Sequence, residues 1–495
     1  MSALRPVGAV PVMAEQCSAR GVGGVTAAAA PQAARIGAAM LERGGNAYDA
    51  VVAAALAETV LLPPKCGLAG DLVALSWAPQ ATRPEALIAV GGAPAGLADA
   101  ARRGALGATG PVSVGVPGAP AGYRALAERG TLAMAQLAAP AVRLADEGFA
   151  WARICSLLAE ESRELLGVHN PDGTVYLPGG DPIAPGTVTR LPGLARAMEM
   201  FGADPESFLR GDVGEAMIAR VRDAGGVLRA EDMAFSGAAW VEVASATGLL
   251  GTCFVTPAPT HGPSLLDVVQ AVGARGPLSQ GDLYRHVMDA IARRRATLAD
   301  PSGTSMVSAV DRTGQMVTVI HSNSFPQFGS GLVVPEYDLV LSNRAGRGFS
   351  TEEGHPNFPR PGRKPATTLH AWAIAPGDGR RVQGATPGGA NQMPWNAQTL
   401  ARLMHRPTAV ADAVAEAVVE ARWEWRSDDD GVRVEEGMAD AEVEALGAVA
   451  PRLERVGRWG LRSAMQIVVD DRPEGAPGTA MAVVDPRTGG GVCAL

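Results

Sequence analysis

Hydrophobic and polar positions along the chain fall into two regimes. From Pro31 to Leu56 the spacing is helical and alanine-rich, and Gly44-Gly45 divides it into two predicted helices. The second, within GGNAYDAVVAAALAETV, has small residues on nearly every face, so it is expected to be buried against close neighbours. KCGLAGDLVALSW reads as a glycine turn feeding a strand. A further helical block is predicted over roughly Ala119 to Gly148, with a break at Pro140. A helix-rich, proline-punctuated stretch then runs to about Arg295.

The regime changes at Ser302. TSMVSAV and MVTVIHSN are short strands joined by the turn Arg312-Thr313-Gly314-Gln315. LVVPEYDLVLSN continues the strand character, and a Pro/Gly-rich loop covers Glu352 to Pro365. A hairpin is expected around Pro376 to Arg380. Helices follow over roughly Trp395 to Met404, Val410 to Trp425 and Ala439 to Val456. MQIVVDD and TAMAVVD close the chain as strands. Elements in blocks predict an α+β or layered sandwich instead of an alternating doubly wound sheet. Nothing resembling a long linker separates the halves, so one interlocked body is expected.

Composition narrows the class. At 495 residues, 47% hydrophobic and 19% charged, the chain can bury a large core, and aromatics at 4% leave Ala, Val and Leu to fill it. A net charge of −8 without a clustered basic face argues against a nucleic-acid partner. The five cysteines are scattered and form no CxxC pair, which fits a reduced compartment and no zinc site. The N-terminal MSALRPVGAVPVMAEQ makes a poor signal peptide, and Val51 to Leu62 is too short to span a bilayer, so a cytoplasmic protein is expected.

The familiar motifs are missing. GVGGVTAAAAPQ lacks the ending of a phosphate loop, and the seven histidines show no HExxH or HxxxH spacing; His321 and His370 lie in strand-like segments and could line a site, but a core or surface histidine is the better reading of each. There is no GxSxG elbow. The informative features are spread out: Thr304 opening a strand after Gly303, the hydroxyl pair in RKPATTLH, and the double glycine in TPGGANQ at a strand end. Each alone reads as a turn; together in one β-rich half they point to a site. Adjacent glycines at a strand end can present the backbone N–H groups an oxyanion hole needs. A mid-chain threonine hydroxyl is a poor nucleophile. As a first residue, its own α-amine, with a pKa of about 8, can take the proton. That requires a cut between Gly303 and Thr304.

These residues resemble the γ-glutamyltransferase superfamily of N-terminal-nucleophile hydrolases. VTAAAAPQAARIGAAMLERGGNAYDAVVAAALAETVLLPPKCGLAGD, VSVGVPGAPAGYRALAERGTLAMAQLAAPAVRLADEGF, TSMVSAVDRTGQMVTV, the FGSG at Phe328, the SNR at Ser342, RKPATTL and TPGGANQ follow in family order. The resemblance implies a four-layer αββα sandwich; no cofactor or metal is expected from the residues. It implies a precursor that cuts itself into fragments 1–303 and 304–495, which stay together as a heterodimer. By position, Thr304 is the nucleophile, Ser322 its supporting hydroxyl, and Gly388 and Gly389 the oxyanion hole. Asn323 or Ser324 falls where the family has a substrate-contacting Asn, and Thr367 and Thr368 replace a substrate-binding Ser pair.

Two departures alter the expected substrate. The segment that in the glutamyl enzymes carries a carboxylate-binding Arg reads AVGGAPAGL. The acid that binds the α-ammonium is missing from SNRAGRGF, where Arg344 and Arg347 stand instead. Each lost charge-assisted contact costs roughly 1.5–3 kcal/mol. The expectation is therefore a hydrolase or acyltransferase for a non-glutamyl small molecule with an anionic group. The resemblance extends to acylases and to antibiotic-pathway enzymes that hydrolyse a C–C bond beside a carbonyl during alkylproline formation. The alternatives are a γ-glutamyl hydrolase or transpeptidase with a rearranged head-group site, and a non-catalytic scaffold relative.

Overall fold

The computed structural model describes residues 17–249, 251–274, 278–295, 304–404, 410–426, 429–472 and 478–495. Two seven-stranded sheets lie face to face between helical layers, which is the αββα sandwich. In the first sheet the strands run Gly491–Ala494, Gly24–Ala28, Ser305–Asp311, Met316–Ser322, Asp71–Trp77, Glu85–Ala89 and Ala239–Glu242. In the second they run Ser18–Gly21, Ala480–Val484, Gln466–Asp470, Arg381–Ala385, Trp372–Ala375, Gly251–Val255 and Ala244–Gly248. Every pairing within these two sheets is antiparallel.

Strand alternation sorts the side chains into three cores. Met306, Val310, Ile320, Val73 and Leu75 meet the second sheet in the middle of the sandwich. Val307, Ala309, Val317, Val319, Leu72 and Ala74 face outward, onto the helix Ala47–Leu61 and its neighbours. That helix is buried along its whole length, as its small residues require: Ala and Val let it lie close to the strands. Asn46 caps it by accepting the Tyr48 and Asp49 N–H groups. The second sheet has its own outer core, built with the helices Gly262–Gly273, Gln280–Arg295 and Gln392–Met404.

Several boundaries differ from the sequence expectation. Pro140 does not break its helix, Met134–Glu147, whose buried Leu137, Ala138, Ala141 and Leu144 hold it in place. The chain turns earlier, where Asp49 accepts the Thr131 and Leu132 N–H groups at 3.0–3.1 Å. The stretch up to Trp425 ends as helix at Val419 and continues as the strand Trp423–Trp425. The expected helix Ala439–Val456 is the helix Asp440–Gly447 followed by the strand Leu453–Val456. LVVPEYDLV forms only two two-residue strands around a short 3-10 turn. The helix-rich stretch before Arg295 also hides the edge strands Ala239–Glu242 and Ala244–Gly248; half-exposed edges need no strong apolar alternation.

Candidate active site

Three neighbouring strands end together and place three polar side chains in a row. Ser305 pairs with His321, so one step earlier Thr304 stands beside Ser322, and Ser322 pairs with Asp71. By alternation all three face the middle of the sandwich, on the same side as Met306, Ile320 and Val73. Thr304 is 3% exposed, and Ser322 and Asp71 are buried. Ser322 Oγ accepts the Ser324 N–H at 2.8 Å, which holds Ser324 in a left-handed conformation at φ 72°.

The second sheet supplies the facing wall. Gln392, the first residue of the helix Gln392–Met404, donates from Nε2 to Thr304 Oγ1 at 2.8 Å and reaches Thr368 Oγ1 at 3.4 Å. The hydroxyl thus has a set orientation. Thr368 is held in turn by His370, whose Nδ1–H donates to the Thr368 carbonyl at 2.7 Å while Nε2 accepts from Asn396 at 2.9 Å. Burial lowers the His370 pKa to about 4, so the ring stays neutral in this role. Thr367 Oγ1 accepts the Leu369 N–H and shapes the bend before the strand Trp372–Ala375. Gly388 and Gly389 take φ 134° and 62°, and a Cβ on Gly388 would lie 2.1 Å from the Trp395 ring. No other residue fits that turn.

Arg344 and Arg347 differ in setting. Arg344 is 2% exposed and donates from Nε to Asp71 Oδ2 at 2.8 Å, and Asp71 Oδ1 accepts the Gly91 N–H. Burial raises the Asp71 carboxyl pKa, and the Arg344 charge and Gly91 N–H oppose it; burial lowers Arg344, and Asp71 opposes that. The two terminal nitrogens of Arg344 are buried with no hydrogen-bond partner among the described residues. Arg347 is half-buried over the Phe325 ring at 5.9 Å. Asn323 donates to the Pro63 carbonyl and packs against Gly67 and Gly70. Gly303 lies outside the described residues.

The family description for gamma-glutamyltranspeptidase matches residues 33–293 and 282–495. The chain belongs to the gamma-glutamyltranspeptidase family. It is 27% identical over 470 residues to the oxamate amidohydrolase proenzyme of Klebsiella pneumoniae, covering 82% of this chain and 87% of that protein. It is 23% identical over 515 residues to a glutathione hydrolase-like proenzyme of Bacillus subtilis, covering 92% and 96%. Among solved structures, a cephalosporin acylase from Bacillus halodurans superposes with a TM-score of 0.83 at 26% identity, covering 97% of each chain.

As a gamma-glutamyltranspeptidase-family member the chain is divergent, lacking the glutamyl head-group residues. Its backbone explains one absence. A Cβ on Gly91 would lie 1.7 Å from the Val116 carbonyl oxygen, and one on Gly92 2.7 Å from Gly362, so no arginine side chain fits there. The Arg344 of SNRAGRGF is paired with an acid from another strand, Asp71, at 2.8 Å.

Four further groups sit on the opposite face of the row. Ser305 Oγ donates to Glu58 Oε2 at 2.6 Å, and His321 Nε2 lies 2.9 Å from the same oxygen. Glu58 Oε1 accepts the Ala29 and Ala30 N–H groups, and Tyr123 OH is 2.7 Å from His321 Nδ1. Donor atoms of Glu58, Cys66 and His321 lie within 4.8 Å of one another, a spacing that a metal could use. Hydrogen bonds already occupy the Glu58 and His321 atoms, and burial pushes the Cys66 thiol well above its ordinary pKa, so it stays protonated. The sequence reading passed over Glu58, Tyr123, Asp71 and Gln392. Only Gln392, the last residue of TPGGANQ, carried a signal.

Proposed function

We propose that this protein is a self-processing threonine hydrolase or acyltransferase that acts on a non-glutamyl, anionic small molecule. The supporting observation is the placement of Thr304: first in its row, buried between the sheets, its hydroxyl oriented by Gln392 at 2.8 Å. Thr304 Oγ attacks the Gly303 carbonyl, the C–N bond to Thr304 breaks, and the hydroxyl proton ends on the released nitrogen. Water then hydrolyses the ester, leaving fragment 1–303 and a new α-amine on fragment 304–495. The strands Ser305–Asp311 and Met316–Ser322 lie between Gly24–Ala28 and Asp71–Trp77, so the fragments stay interleaved after the cut.

In turnover the α-amine takes the Thr304 hydroxyl proton as Oγ adds to the substrate carbonyl. The Gly388 and Gly389 N–H groups hold the oxyanion, Ser322 supports the hydroxyl, and the amine returns the proton to the leaving group. An amide, or a C–C bond beside a carbonyl, meets these requirements. Arg344 is the residue to receive the substrate anion. Asp71 holds its Nε, which leaves the terminal pair for a bidentate contact with a carboxylate. Arg347 adds a second cation. Thr367, Thr368 and Asn323 or Ser324 line the remaining wall. The related oxamate amidohydrolase takes, by its name, an amide that carries a carboxylate.

The relatives named as glutathione hydrolases favour a second reading, a γ-glutamyl hydrolase with a rearranged head-group site. A γ-glutamyl anilide separates the two. The leading reading expects no aniline release, and steady release would replace it with the second.

A further inference from the structure

Cutting a chain ordinarily frees its new end. A terminus frays unless something ties it down, and a nucleophile displaced by an ångström loses most of its rate. The processing proposed above creates such a terminus at Thr304. Ser305, one residue along, points to the other face of the sheet, away from Thr304 and the second sheet. There its hydroxyl donates to Glu58, a residue of the 1–303 fragment.

The Glu58 carboxylate is fully satisfied. One oxygen accepts the N–H groups of Ala29 and Ala30, where the strand Gly24–Ala28 leads into the helix Pro31–Glu42. The other accepts from Ser305 Oγ–H and His321 Nε2–H, which leaves His321 Nδ1 to accept a hydrogen bond from the Tyr123 hydroxyl. In that arrangement the carboxylate, which has only acceptors, receives four donors, and the Tyr123 hydroxyl donates to the remaining ring nitrogen. Glu58, Ser305, His321 and Tyr123 are all buried. One side chain therefore ties three parts of the body: the 29–30 corner, the second residue of the new terminus, and the strand beside it that carries Ser322.

We infer that Glu58, backed by His321 and Tyr123, is the positioning residue that fixes the Thr304 terminus, reaching it through Ser305 and touching neither substrate nor the reacting atoms. The inference rests on the proposed self-processing. It predicts that the link governs the first step, attack by Thr304 Oγ on the Gly303 carbonyl, and not the hydrolysis of the ester that follows. Ser305→Ala removes the link and leaves the carboxylate with its other three donors. Glu58→Gln keeps the shape but turns two acceptor positions towards donors.

The test is a time course of cleavage in full-length chain made by cell-free translation, with and without hydroxylamine, which breaks esters faster than water does. Native chain is expected to cut. Ser305→Ala and Glu58→Gln are expected to cut at least tenfold more slowly, hydroxylamine is expected not to restore the rate, and the uncut Ser305→Ala chain should melt within a few degrees of uncut Thr304→Ala. Cleavage of both variants within twofold of native would overturn the inference and leave the processing proposal standing. So would slow cleavage that hydroxylamine restores, or a rate that falls only with the melting temperature. A native chain that stays whole would overturn both.

Discussion

The two faces of one row of residues make opposite use of polar groups. On the inner face Thr304 meets Gln392 and Asp71 meets Arg344, and the Gln392 carbonyl oxygen and the Arg344 terminal nitrogens are buried without partners among the described residues. On the outer face Ser305, His321, Glu58 and Tyr123 pair completely. An unpaired buried polar atom costs about 1–3 kcal/mol, so a fold tolerates several together where something else is to bind. The side-chain alternation of a strand puts the two arrangements within one residue of each other.

This contrast can be broken experimentally, and the inner face should give the largest effect. Asp71→Asn leaves Arg344 buried without its counter-charge, and a loss of about 3–5 kcal/mol in unfolding free energy is expected from chemical denaturation. If the pair is structural only, Asp71→Leu with Arg344→Met should regain most of that stability and still process an added substrate. The account predicts recovered stability without turnover.

The wall behind Thr368 comes next. His370 has its pKa lowered from 6.5 to about 4 by burial, so the unfolded chain binds a proton that the folded chain refuses. Stability from this group is present above pH 6.5 and is lost as the pH falls towards 4, by on the order of 3 kcal/mol. Denaturant midpoints across that range should fall less steeply in His370→Gln than in the native chain.

On the outer face Tyr123→Phe leaves His321 Nδ1 without its donor, and about 1–3 kcal/mol should be lost. Equal losses on both faces without any effect on cleavage would erase the proposed division of labour. The smallest effect belongs to the surface. Arg462 and Glu161 form an exposed ion pair, and Arg462→Ala should shift stability by no more than about 1 kcal/mol, with melting curves as the check.

The sequence made the local half of this legible. Glycine-marked turns and the paired strands after Ser302 each sit within a few residues and imply a layered α+β body, while the four-layer αββα order came only with the family resemblance. What it hid is long-range pairing. Ser305 meets Glu58 across 247 positions, His321 meets Glu58 across 263 and Arg344 meets Asp71 across 273. Arg344 therefore read as a bare cation, and Glu58 carried no signal. The edge strands were hidden for another reason: their exposed faces relax the alternation that announces a strand.

The central claim is that Thr304 becomes a chain terminus by its own chemistry. Amino-terminal sequencing of the smaller fragment from purified protein tests it most directly. The account predicts a fragment that begins Thr-Ser-Met-Val-Ser and is absent from Thr304→Ala. A single uncut native chain, a cut at another bond, or the same cut in Thr304→Ala would contradict it.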